Sequence, residues 1–193
     1  DGEVTAVDID LGSLEELQRK ADQEGLSDRI RIRLSTLTDL EFPEGYFDII
    51  WSEGSIFVIG FEQGLVQWKP FLKQEGFLVI HEMVWLKPEP PEEIRTYWEN
   101  IYPGICDIDS CLHTIKTSGY RLIGHFHLPE DLWWREYYEP LQMHIYELRQ
   151  KYAENTAILK MLDKEQHEID LYRKYRSWYG SAFFVIQKHA STP

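Results

Sequence analysis

An acidic side chain closes the first β-branched run of the chain, Val4-Thr5-Ala6-Val7-Asp8-Ile9-Asp10, and an amphipathic pattern follows at once. A carboxylate at the tip of a buried strand, ahead of a helix, can accept hydrogen bonds from both hydroxyls of a ribose. The other reading of Asp8 is a charge favoured by the helix dipole, a role that Asp10 and Ser13 fill better. Two further strand ends carry chemistry: Ser52-Glu53-Gly54 after Phe47–Trp51, and His81-Glu82 after Gly76–Ile80. Ligands of open α/β sheets bind at this carboxyl edge. There Glu53 can orient or deprotonate an acceptor, and His81 is the best candidate for a general base. Gly54 would let a backbone approach closely. Both Glu53 and His81 can equally be loop side chains without a role. Trp85, Trp133, Trp134, Tyr137 and Tyr138 either wall a pocket or pack as core. His125 and His127 project to one face of a strand, but no third ligand is spaced to join them, so no metal is expected.

The elements that must position these groups alternate. Val4–Asp8 reads as a strand and Ser13–Glu24 as a helix, with a capping box between Ser13 and Glu16 and a stop at Gly25. Arg29–Leu34 alternates as a second strand. Phe47–Ser52 is apolar on both faces apart from Asp48, as a parallel strand covered by helices should be. Phe61–Leu72 fits a helix and Gly76–His81 a strand. This rhythm implies right-handed βαβ units and a parallel sheet. Beyond Pro88, Pro90 and Pro91, helices are expected over 91–100 and 107–118, and strands over Tyr120–Leu128 and Ser181–Lys188. Between these strands, residues 130–176 carry helical stripes. One comprises Leu141, Ile145, Leu148 and Tyr152; the other Ile158, Met161, Leu162, Ile169 and Tyr172. An insertion of that length on an α/β scaffold suits a lid over the site, or a dimerisation arm that buries the stripes against a second subunit. The run Lys164–Glu168 reads as a solvated helix face.

The chain has 193 residues, a length for a single domain, 1–193. Its net charge of −13 argues against nucleic acid and anionic membranes as partners. No apolar run approaches the ~18 residues of a membrane span, and no signal peptide is visible. Cys106 and Cys111, the two cysteines of the chain, read as reduced thiols in a cytoplasmic protein.

Three segments, Val7–Asp10, Leu40–Ile50 and Leu72–Leu78, occur in order at fitting distances. They resemble the motifs that follow the glycine-rich loop in class I S-adenosylmethionine-dependent methyltransferases. The closest flavour is the small-molecule group related to the ubiquinone and menaquinone biosynthesis enzymes. Trp51–Phe61 and the tail from Tyr120 to Lys188 resemble a subgroup of the same family. The resemblance implies a Rossmann-like, mostly parallel α/β sheet ending in an antiparallel hairpin. It also implies S-adenosylmethionine as cofactor, with Asp8 on the ribose and Ile9 against the adenine. Thr36 stands where family members usually carry an aspartate for the adenine amino group; the backbone of Leu37 would meet the adenine edge, and Ser52 completes the cofactor set. Gly54, Trp85, Trp133 and Tyr137 would face the substrate. The family's first strand and its glycine loop have no counterpart here, and they are expected ahead of Asp1 in the natural protein. Val4–Asp8 and Phe47–Ser52 should therefore stand one strand apart. The expected activity is methyl transfer to a small molecule. Its rivals are a nicotinamide-dependent oxidoreductase and a non-catalytic protein that keeps the fold.

Overall fold

The computed structural model describes residues 2–189. Its strands are β1 (Val4–Asp8), β2 (Ile30–Leu34), β3 (Phe47–Glu53), β4 (Leu72–Trp85), β5 (Cys106–Asp107), β6 (Tyr120–His127) and β7 (Tyr179–Lys188). Its α-helices are α1 (Leu11–Gln23), α2 (Phe61–Trp68), α3 (Glu92–Ile101), α4 (Ile108–Thr117), α5 (Glu130–Trp133), α6 (Glu139–Lys151) and α7 (Thr156–Tyr175).

Local chemistry sets the boundaries that differ from expectation. Helix α1 starts at Leu11 because the Asp10 carboxylate caps it, accepting from the Gly12 and Ser13 amides. The Ser13 hydroxyl donates to the same carboxylate at 2.6 Å, so Asp10 and not Ser13 is the cap. Helix α2 ends at Trp68, short of the expected Leu72. Pro70 sits in a 3₁₀ turn over Lys69–Phe71 and delivers Leu72 into β4. Strand β4 then runs beyond His81 to Trp85, where it gains β5 as a parallel partner.

The strands fall into two hydrogen-bonded groups. β1 and β2 pair in parallel. The other group has the order β3-β4-β7-β6, with β3–β4 parallel and β7 antiparallel to both β4 and β6. The expected terminal hairpin is therefore β6–β7. β1 and β3 do not pair. They face one another across a cavity of about 570 Å³, lined by Val4–Val7 on one bank and Ile49–Ser52 on the other. A sheet interior is an unfavourable place for two open strand edges, since each leaves backbone donors and acceptors without partners.

Two cores flank the larger group. On one face Leu65 and Trp68 of α2 and Cys111 and Ile115 of α4 pack on Leu78, Ile80, Phe184 and Ile186. Residues alternate across a strand, so Met83, Trp85 and Tyr179 belong to the opposite face. There they meet Ile94 and Trp98 of α3, Ile145 of α6 and Leu162, Ile169 and Tyr172 of α7. Met161 departs from its expected stripe and is 55% exposed. Glu168 departs from the expected solvated run: it is partly buried and accepts from the Tyr97 and Tyr138 hydroxyls. Cys106 and Cys111 are also corrected, because they form a disulfide. β5 and the first turn of α4 bring their Cα atoms to 6.3 Å, within bridging range.

Candidate functional site

Asp8 ends β1 exposed at the carboxyl edge. Its Oδ1 accepts the Asp10 amide at 2.9 Å, and its carbonyl accepts the Ser35 amide at 3.0 Å. The second bond ties the end of β1 to the loop after β2. Asp10 takes over the helix-capping duty, so the Asp8 carboxylate is left at the strand tip with Oδ2 free for a ligand. Ile9 beside it is 71% exposed, an apolar surface at a strand tip. In the loop after β2, the Thr36 hydroxyl bonds that of Thr38 at 2.9 Å, while the Leu37 side chain lines the cavity between β1 and β3.

Across that cavity Ser52 is 5% exposed, and its hydroxyl pairs with Ser55 at 2.9 Å. Glu53 is exposed and accepts from the Trp51 indole N–H at 2.8 Å. Gly54 adopts φ 55°, a conformation that suits glycine, and its amide donates to the His81 carbonyl at 3.2 Å. Glu53 and His81 are register partners on adjacent strands, so the two candidate acid–base groups stand side by side. The His81 ring stacks on Phe183 at 4.7 Å between centroids, and its Nε2 has no hydrogen-bond partner among the described residues. Burial holds His81 below the ordinary histidine range, while the Glu53 carboxylate pulls the other way. The imidazole is thus neutral at pH 7 and able to accept a proton.

The aromatic candidates gather further along the same face. A π-helical turn over Trp134–Tyr138 breaks the α-helical spacing. It lets Trp133, Trp134 and Tyr138 all reach Tyr172, at 5.1, 6.3 and 4.2 Å between ring centroids. Trp85 and Trp133 both lie edge-on to Tyr179, at 6.2 and 6.1 Å. Tyr137 is 48% exposed and leans on Tyr138. Trp85 lies four residues beyond His81 on β4, about 13 Å along an extended strand. Trp85 and Trp133 therefore belong to a packed aromatic cluster at the end of the sheet that carries His81. Glu82, next to His81, is 3% exposed and faces the opposite side of the sheet, away from the site. Its signal in the sequence was a lone carboxylate inside an apolar strand. His125 and His127 share a face as expected, and His125 stacks on Phe184 at 6.2 Å.

Residues 1–80 match the methyltransferase domain family. No curated protein matches the chain. Among solved structures, a SAM-dependent methyltransferase from Thiobacillus denitrificans in complex with S-adenosyl-L-homocysteine superposes with a TM-score of 0.81 at 14% identity, covering 97% of this chain and 76% of that one. A SAM-dependent methyltransferase from Geobacter sulfurreducens, also with S-adenosyl-L-homocysteine, gives 0.80 at 15% identity, covering 96% and 75%. The [4+2]-cyclase SpnF gives 0.76 at 17% identity, covering 98% and 67%. The fold is the Rossmann-like fold of the class I methyltransferases. Among the described residues no helix is long and apolar enough to cross a membrane.

Proposed function

We propose that this chain is an S-adenosylmethionine-dependent methyltransferase whose acceptor is a small molecule. The observation that carries the reading is the pair of banks at the carboxyl edge. Asp8 ends β1, whose Val4–Val7 line one bank of the cavity with Leu37, while Ser52 lines the other bank just before Glu53, the register partner of His81, within a chain whose first 80 residues match a methyltransferase domain. The residues present fit the nucleoside half of the cofactor. Asp8 offers a carboxylate to vicinal hydroxyls, Ile9 and Leu37 offer apolar contact to a flat base, and Thr36 and Ser52 supply hydroxyls nearby.

When bound, the cofactor supplies a methyl group on a good leaving group. The chain's own task is then to place and desolvate the acceptor. His81, neutral and half-buried beside Glu53, is placed to take a proton from an acceptor that must lose one. The helices over 130–176 are read as a lid on the acceptor side, with Trp133 and Tyr137 facing substrate together with Trp85 and Gly54. The charge of −13 disfavours nucleic acid and anionic membranes as partners. A cytoplasmic location and a homodimer remain part of this reading.

The test is calorimetric titration of the protein with S-adenosylhomocysteine, followed by methyl transfer from labelled S-adenosylmethionine to a small-molecule panel. Binding with turnover is expected. One fold neighbour is a cyclase, so turnover is measured separately from binding: binding without methyl transfer to any acceptor removes the enzyme reading, and no binding removes the cofactor reading.

A further inference from the structure

One row of side chains crosses four strands on the face that carries His81. Glu53 of β3, His81 of β4, Phe183 of β7 and Phe126 of β6 are successive register partners. Side chains aligned in this way meet across a sheet. Three of the four are rings, and they stack. The Phe183 ring lies 4.7 Å from the His81 imidazole at an interplanar angle of 27°, and 5.2 Å from the Phe126 ring at 19°. Phe183 is thus held between the two. A further ring reaches it from two strands away. Trp51 lies two residues before Glu53 on the same face of β3, with Val79 as its partner on β4. Its indole passes over β4 and meets Phe183 edge-on, at 6.4 Å and 63°. The same indole donates to Glu53 Oε1 at 2.8 Å. One half-buried phenyl ring therefore touches both His81 and the side chain that holds Glu53.

We infer that Phe183 is a positioning residue for the acid–base pair: its face fixes the plane of the His81 imidazole, and its edge fixes the Trp51 indole that holds Glu53. His81 Nε2 has no hydrogen-bond partner among the described residues, so no bond at that nitrogen sets the ring plane. Trp51 is 63% exposed, so little packing confines its indole. Phe126, 54% exposed, closes the other face of Phe183. Aromatic pairs prefer set geometries, so a ring orients its neighbours where an aliphatic side chain of similar bulk only covers them. The inference rests on the methyl-transfer reading only for what Glu53 and His81 do there.

The experiment compares Phe183→Leu, which keeps apolar bulk without the ring, with Phe183→Tyr, which keeps the ring. Proton NMR reads the His81 ring signals, identified by their loss in His81→Gln. Hydrogen exchange reads the Trp51 indole N–H, identified by its loss in Trp51→Phe. In the wild type the His81 ring protons are expected upfield, under the ring current of Phe183. Phe183→Leu should move them downfield and speed exchange of the indole, and Phe183→Tyr should leave both as in the wild type. Phe183→Leu should also lower kcat by roughly 10–10²-fold, the cost of misplacing a catalytic group. The KM for S-adenosylmethionine should hardly change, and Phe183→Tyr should restore the rate. Where Phe183→Leu does not fold, Phe126→Leu, at an exposed ring, takes its place and should move the same signals by less. Signals that stay in place in the leucine variant, or that move equally in Phe183→Tyr, overturn the inference. So does a kcat that Phe183→Leu leaves unchanged while the signals move. A wild type without turnover removes the methyl-transfer reading, and the NMR and exchange results still decide the stack.

Discussion

The Asp10 amide donates to Asp8 Oδ1 at 2.9 Å, while the Asp10 carboxylate caps α1. Two aspartates two residues apart thus divide the work: one holds the helix, and the other is aimed outward at the strand tip. Asp8→Ala should weaken S-adenosylhomocysteine binding by about 1–3 kcal/mol, the scale for losing a charged hydrogen-bond partner. The exposed side chain carries little of the fold, so thermal stability should hardly change. Calorimetric titration of the full-length protein checks this, and an unchanged affinity removes Asp8 from the site.

His81 predicts a pH dependence with a definite sign. Its folded pKa lies below the ordinary 6.5 because of burial. As pH falls through 6.5 the unfolded chain takes up a proton that the folded site resists, so stability is lost on the acid side. His81→Gln should flatten the fall in melting temperature between pH 7 and 5. If His81 is the base, His81→Ala should also lower turnover by roughly 10²–10⁴-fold. Parallel melting curves in wild type and His81→Gln would show that the ring titrates freely.

The Cys106–Cys111 bridge closes a short loop, with a sequence separation of 5. Chain entropy for so small a loop gives about 2 kcal/mol of stabilisation. Reduction, or Cys106→Ser with Cys111→Ser, should lower the melting temperature by roughly 4–8 °C for a domain of this size. Thiol titration under native and denaturing conditions decides the redox state: two free thiols in protein kept from oxidation would mean that the pair closes only on exposure to oxidant.

The cavity between β1 and β3 borders two unpaired strand edges and is lined by apolar side chains. The chain should bind an apolar dye such as anilinonaphthalene sulfonate through Val4–Val7, Leu37 and Ile49–Trp51, and Leu37→Glu should weaken that binding. Equal dye fluorescence in the wild type and Leu37→Glu would place the dye elsewhere.

Much of the fold was legible in the residues because burial periodicity is local information. The strands over Ile30–Leu34 and Phe47–Glu53 and the acidic tips at Asp8 and Glu53 stand where the pattern put them. The expected burial of their apolar faces is corrected: Ile32, Leu34, Ile49 and Trp51 are 37%, 57%, 55% and 63% exposed, because β1–β2 and β3 stand apart across the cavity and not inside one continuous covered sheet. What needed the tertiary structure was everything set by distant partners. Pro70 stops α2 early because the chain must re-enter the sheet at Leu72. The partner of Cys111 depends on β5 finding the end of β4. Glu168 leaves solvent because Tyr97 and Tyr138, far away in sequence, converge on it. The π-turn at Trp134–Tyr138 exists because packing on Tyr172 draws three aromatics to one ring, which α-helical spacing cannot do. By itself the sequence determined an α/β sheet with chemistry at its carboxyl edge. Only the folded chain decided that Glu53 and His81 stand side by side while Glu82 is buried on the opposite face, since strand pairing assigns neighbours and packing decides which side chains lose water.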